Sequence, residues 1–153
     1  MTSQRRSVLK KLAASLATIT GLGFAVKAND FSTNKKESGN IVYDQEVPLF
    51  AGHTKFAGMV FIAGKGAHFE GDVKAHTDHV LKELEKELIK AGSSMEKVLK
   101  VTVFLNDIAD YKAMNEVYKG RFGKNPPVRT TVAVAKGGVP GDSLVEMDCI
   151  AAL

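Results

Sequence analysis

From Ile41 onward, short runs of period two alternate with longer runs of period 3.6, separated by polar or Gly/Pro-rich segments. IVYDQEV and FAGMVFIAG read as strands, the second more continuously apolar and so more deeply buried. Asp72 is a good N-cap for a helix that puts Val73, Thr77, Val80, Leu81, Leu84 and Leu88 on one side, with Gly92 at its end. KVLKVTVFL is the next strand. A second helix from about Asp110 carries Tyr111, Met114, Val117, Tyr118 and Phe122 as its apolar stripe. The runs VRTTVAVA and LVEMDCIA close the chain as strands, and the linking KGGVPGD predicts a hairpin between them. The expected order is β-β-α-β-α-β-β, an α+β sheet with both helices packed on one face. Apolar segments such as MVFIAG imply that the opposite face is not wholly solvated, and oligomerisation is the economical way to cover it.

Two charges interrupt the closing strands. Alternation puts Arg129, Thr131 and Ala133 on one face of the first, and Leu144, Glu146 and Asp148 on one face of the second. A cation and a carboxylate in apolar strands are costly unless they are paired, hydrogen-bonded or kept for a ligand. Both an internal salt bridge and a ligand site fit this pattern.

The N-terminus has another character. SQRRSVLK resembles a twin-arginine export motif, and the apolar stretch after it ends at Val26-Lys27-Ala28, a site suited to signal peptidase. That stretch is shorter than the roughly 20 apolar residues of a membrane span and contains Gly, Ser and Thr. The expected organisation is a signal peptide over 1–28, a polar flexible leader over 29–40 and one domain over 41–153. The expected location is the periplasm, with no stable membrane anchor after cleavage. Five of the 21 Lys and Arg residues lie in 1–28, which holds no acid, so 16 bases face 17 acids in the remainder. The basic character belongs to the leader, and no basic footprint for nucleic acid remains. Cys149 is the single cysteine, so no intrachain disulfide forms, and its apolar neighbours Val145 and Met147 make it a small buried residue.

The runs PVRTTVAVA and LVEMDCIA, with FAGMVFIAG, VLKVTVFLND and YKAMNEVY upstream, strongly resemble the Rid family of RidA/YjgF-like reactive intermediate deaminases. The match runs in order from about residue 41 to the end. The resemblance implies a chorismate-mutase-like fold, a homotrimer with ligand clefts between subunits, and hydrolysis of 2-imino acids to 2-oxo acids and ammonia without a cofactor. It assigns Arg129 to the substrate carboxylate and Glu146 to the attacking water. Gly64 matches a site glycine and Asn115 a frequent asparagine. Phe50 stands where a site tyrosine is typical, Ala63 where serine is common, and Thr131 where cysteine is often found. Phe50 keeps an aromatic wall without the hydroxyl, and Thr131 keeps its backbone N–H. The alternative is a binding protein that holds 2-oxo acids in the same clefts without turnover. Some relatives are linked to RNA cleavage, against which the near-neutral mature charge argues.

Asp72, His76, His79 and Glu83 share one helical flank, but no second cluster completes a coordination shell, so a solvated or interface-border face is the better reading and no metal is expected. The mixed signs of Lys82 to Glu87 describe an exposed helix laced with ion pairs. Gly64-Lys65-Gly66 and Lys136-Gly137-Gly138 lack phosphate-loop spacing and read as turns.

Overall fold

The computed structural model describes residues 35–153. The segment read as a signal peptide, and the leader as far as Asn34, lie outside the described residues. The elements are β1 (Glu37–Asp44), β2 (Val47–Phe56), β3 (Met59–Lys65), α1 (Val73–Lys90), β4 (Val98–Leu105), α2 (Tyr111–Tyr118), β5 (Val128–Ala133) and β6 (Val145–Ala152), joined in places by single 3₁₀ turns. They form one six-stranded mixed sheet in the order β1-β2-β3-β6-β4-β5.

The expected strand IVYDQEV is two strand ends and a turn, and FAGMVFIAG divides likewise. Gln45 and Glu46 both adopt positive φ and turn β1 into β2, while Ala57 and Gly58 do the same between β2 and β3. Two consecutive positive φ values match the right-handed twist of the flanking strands, which is why two-residue loops of this kind close hairpins. The sheet thus gains a strand over Val47–Phe56. β1 begins at Glu37, so the last four residues of the segment read as leader belong to a strand, and Glu37, Ser38 and Gly39 are paired with β2.

Helix α1 follows its sequence pattern closely. The Asp72 carboxylate accepts from the Ala75 N–H at 2.8 Å, and the Ser93 N–H closes the far end on the Leu88 carbonyl while Gly92 takes a φ of +84°. Val80, Leu81, Leu84 and Leu88 are fully buried, each worth about 1.5–3 kcal/mol relative to exposure. They pack against Val60 and Ile62 of β3, Val101, Val103 and Leu105 of β4, and Val145, Met147 and Cys149 of β6, with Met114 and Phe122 completing the core. Cys149 is buried, and burial pushes its thiol up to about 12, as a packing residue requires.

The second sheet face is apolar and open. Phe56, Phe61, Leu99, Val128 and Val132 are exposed, Val128 by 70 %. β3 therefore alternates buried and exposed positions instead of being buried throughout.

The closing strands do not form a hairpin. β5 runs parallel to β4 at the sheet edge, and β6 pairs antiparallel with β4 on its other side. The KGGVPGD connection crosses over β4, and its turns are held locally: the Gly137 N–H reaches the Asn106 side-chain oxygen at 2.8 Å.

Candidate active site

Register fixes where the two strand charges point. Arg129, Thr131 and Ala133 stand beside Val101, Val103 and Leu105, all fully buried beneath the helices. Arg129 is therefore on the helix-covered face, at the open edge. Glu146 pairs with Phe104 and Asp148 with Thr102, the alternate positions of β4, so both lie on the open face. Within one chain Arg129 and Glu146 are separated by β4 and face opposite sides of the sheet. An internal salt bridge between them is excluded by this register.

The guanidinium of Arg129 is carried on aromatic rings. It lies 4.5 Å from the centre of the Tyr118 ring and 5.7 Å from that of Tyr111, and Nη2 donates to the Tyr111 hydroxyl at 3.3 Å. Stacking on a ring face holds the plane of the guanidinium and leaves N–H groups at its rim. No carboxylate pairs with Arg129 among the described residues. The Asn115 side chain, one turn along α2 from Tyr111, and the charge of Arg129 together draw the Tyr111 hydroxyl below the usual tyrosine range. Among the described residues Thr131 Oγ1, on the same face of β5 as Arg129, is buried without a hydrogen-bond partner, and so is the hydroxyl of Tyr118, whose ring lies under the guanidinium. Burial pushes that second phenol up to about 12. Orphaned polar atoms beside an unpaired cation suit a place where a polar ligand belongs.

Glu146 has different surroundings. It is half-buried on β6, and its carboxylate sits against Gly64, where a Cβ would collide with Oε1. The missing side chain of Gly64 therefore makes room for the carboxylate itself. The entry to β6 is rigid. Ser143 Oγ accepts from the Ala67 N–H at 2.9 Å and donates to the Val145 carbonyl at 2.6 Å. His76 accepts from the Leu144 N–H at 3.1 Å through Nδ1 and bonds the Phe69 carbonyl at 2.9 Å through Nε2. Both ring nitrogens of His76 are engaged by backbone, Asp72 caps its helix, and Glu83 pairs with Lys86. Among the described residues no group of three or more His, Cys, Asp or Glu is arranged to hold a metal ion.

Phe50 is 54 % exposed on β2, opposite Val42 and separated from β6 by β3. One subunit thus brings Arg129, Thr131 and Asn115 to one edge and Gly64 with Glu146 to the open face, with Phe50 on a third stretch of surface. Tyr111 and Tyr118 belong with Arg129 as well. Their helical spacing in sequence marks them only as part of the apolar stripe, and the approach of β5 to α2 reveals their place beside Arg129.

The family model described as Endoribonuclease L-PSP matches residues 50–153, a span that includes every one of these positions. The chain belongs to this family, the RutC/YjgF/Rid group. An L-PSP relative, the chloroplastic Reactive Intermediate Deaminase A of Arabidopsis thaliana, is 30% identical over 90% of this chain and 72% of its own length. A RutC family protein of Pyrococcus abyssi is 38% identical over 63% of this chain and 80% of its own. Among solved structures, a YjgF/YER057c/UK114 family member from Mycobacterium tuberculosis superposes with a TM-score of 0.66 at 25% identity, covering 78% of this chain and all of the other. The L-PSP fold, two helices on one face of a six-stranded mixed sheet, is thus the chorismate-mutase-like α+β architecture expected.

Proposed function

We propose that this protein hydrolyses 2-imino acids to 2-oxo acids and ammonia, in clefts where one subunit presents Arg129 and a neighbour presents Glu146. The observation that carries the reading is Arg129: a guanidinium over the Tyr118 ring at the sheet edge, with no carboxylate partner among the described residues. A planar cation with parallel N–H groups suits a carboxylate, a charge-assisted contact worth about 1.5–3 kcal/mol. It holds the invariant end of an imino acid and leaves the side chain largely unread.

Glu146 supplies the complementary chemistry. Its carboxylate takes a proton from water as the water oxygen bonds to the carbon of the protonated C=N group, giving a neutral tetrahedral amino alcohol. Return of that proton to nitrogen makes ammonia the leaving group, and as the C–N bond breaks the new hydroxyl gives its own proton to Glu146, which passes it to the departing ammonia and leaves the 2-oxo acid. Such general-base assistance is typically worth about 10²–10⁴ in rate. No redox step or group carrier enters the balance. Since Arg129 and Glu146 face opposite sides of one sheet, a shared site needs more than one copy. The exposed apolar face with Phe61, Leu99 and Val128 supports the same assembly, which we take to be a homotrimer. The twin-arginine motif supports export, so the imines are those formed outside the cytoplasm.

The test is hydrolysis of short, branched and aromatic 2-imino acids generated in situ by an amino-acid oxidase. Wild type should accelerate it, and Arg129→Ala and Glu146→Gln should each abolish the gain. No acceleration by wild type, with 2-oxo acids still bound, would replace the hydrolase with a carboxylate-binding protein.

A further inference from the structure

We propose that Tyr111 is a direct substrate-binding residue, its phenol O–H donating to the same carboxylate that Arg129 holds. The inference rests on the carboxylate-clamp reading of Arg129 and extends it to a residue outside that clamp. The Tyr111 oxygen already receives Arg129 Nη2 at 3.3 Å. A phenol oxygen has two lone pairs and one proton. With the Arg129 donor on the oxygen, the O–H proton remains free to donate, and the acceptor that belongs beside a guanidinium is an anion.

The placement agrees. Tyr111 is 40 % exposed, so its hydroxyl is within reach of a small molecule, whereas Tyr118 is buried and works through its ring. Tyr111 also lines a recess of about 480 Å³ with Ile108, Ala109 and Lys112. Tyr111 thus contacts Arg129 and also borders a mainly apolar hollow. Phe50, the aromatic residue implied for the site by resemblance, has no hydroxyl to give, and Tyr111 supplies one from a different element.

The chain has three tyrosines and no tryptophan, so phenolate formation can be followed at 295 nm without interference. The groups acting on the Tyr111 phenol are the Arg129 cation of β5 and the Asn115 amide of α2, both favouring ionisation. A bound carboxylate opposes them, because it neutralises Arg129 and needs the proton. Titrating wild type with and without 2-oxobutanoate should raise the earliest phenolate transition when ligand is present. Tyr111→Phe should delete that transition, weaken 2-oxobutanoate about tenfold, the scale of one hydrogen bond to a charged group, and raise KM with kcat held within about twofold. Unchanged affinity in Tyr111→Phe, or a phenolate transition indifferent to ligand, overturns the proposal while leaving Arg129 as the clamp. Absence of 2-oxobutanoate binding in wild type overturns both together.

Discussion

Glu87 and Glu146 are both glutamates on elements that enclose the core, yet their settings are opposite. Glu87 is 3 % exposed on α1 and surrounded by its own subunit: His53 Nδ1 at 2.8 Å, Asn40 Nδ2 at 2.9 Å and Lys65 Nζ at 3.6 Å. Burial acts to push its carboxyl up, but the His53 and Asn40 hydrogen bonds and the Lys65 charge outweigh that and hold it below the usual range. Glu146 is half-buried, faces the open side of the sheet, and has no ion-pair partner among the described residues. A buried charge with its lone pairs filled is architecture, here tying β1 and β2 to the helix. A partly open charge kept free is available for chemistry.

The contrast breaks most sharply in mixed assemblies. Arg129→Ala and Glu146→Gln should each lower activity by about 10²–10⁴ with little change in stability. Co-assembly of the two variants should recover activity, since some clefts then receive an intact Arg129 and an intact Glu146. Recovery that never appears would mean that both groups act within one subunit. Glu87→Gln should do the reverse, costing about 3 kcal/mol in denaturant unfolding because it strands His53 and Lys65, with turnover per folded molecule unchanged.

Two glycines sharpen the same distinction. A Cβ at Gly39 would collide with the buried His53 ring, whereas one at Gly64 would meet the end of the Glu146 side chain. Gly39→Ala should therefore lower the melting temperature, while Gly64→Ala should lower kcat and leave melting nearly unchanged. The smallest effect is in acid. Because the Glu87 pKa is depressed in the fold, its contribution is complete above the ordinary glutamate value of 4.5 and fades as pH falls through the lower folded value. Stability measured downward from pH 5 should decline in wild type and decline less steeply in Glu87→Gln.

Much of this was legible before any coordinates. The α1 stripe, its Asp72 cap and Gly92 stop follow from period 3.6 and side-chain chemistry, and Arg129 and Glu146 stood out as charges in apolar strands. The β1–β2 hairpin was not legible because Gln45 and Glu46 turn through positive φ without the Gly or Asn that announces such a turn. The pairing of β5 with β4 was hidden for another reason. A Gly/Pro-rich link signals a reversal but does not say whether a strand lies between its ends. Tyr111 and Tyr118 were visible only as a helical stripe, since periodicity marks the inward side of a helix without naming what arrives there.

The division of Arg129 and Glu146 between the two faces of one sheet has a kinetic consequence. A site completed only by a neighbour gives an isolated chain no turnover, so specific activity should not be constant on dilution. It should hold while subunits remain associated and then fall with a concentration dependence steeper than first order. The activity of this small domain would then depend on how many copies are present as much as on what each one contains.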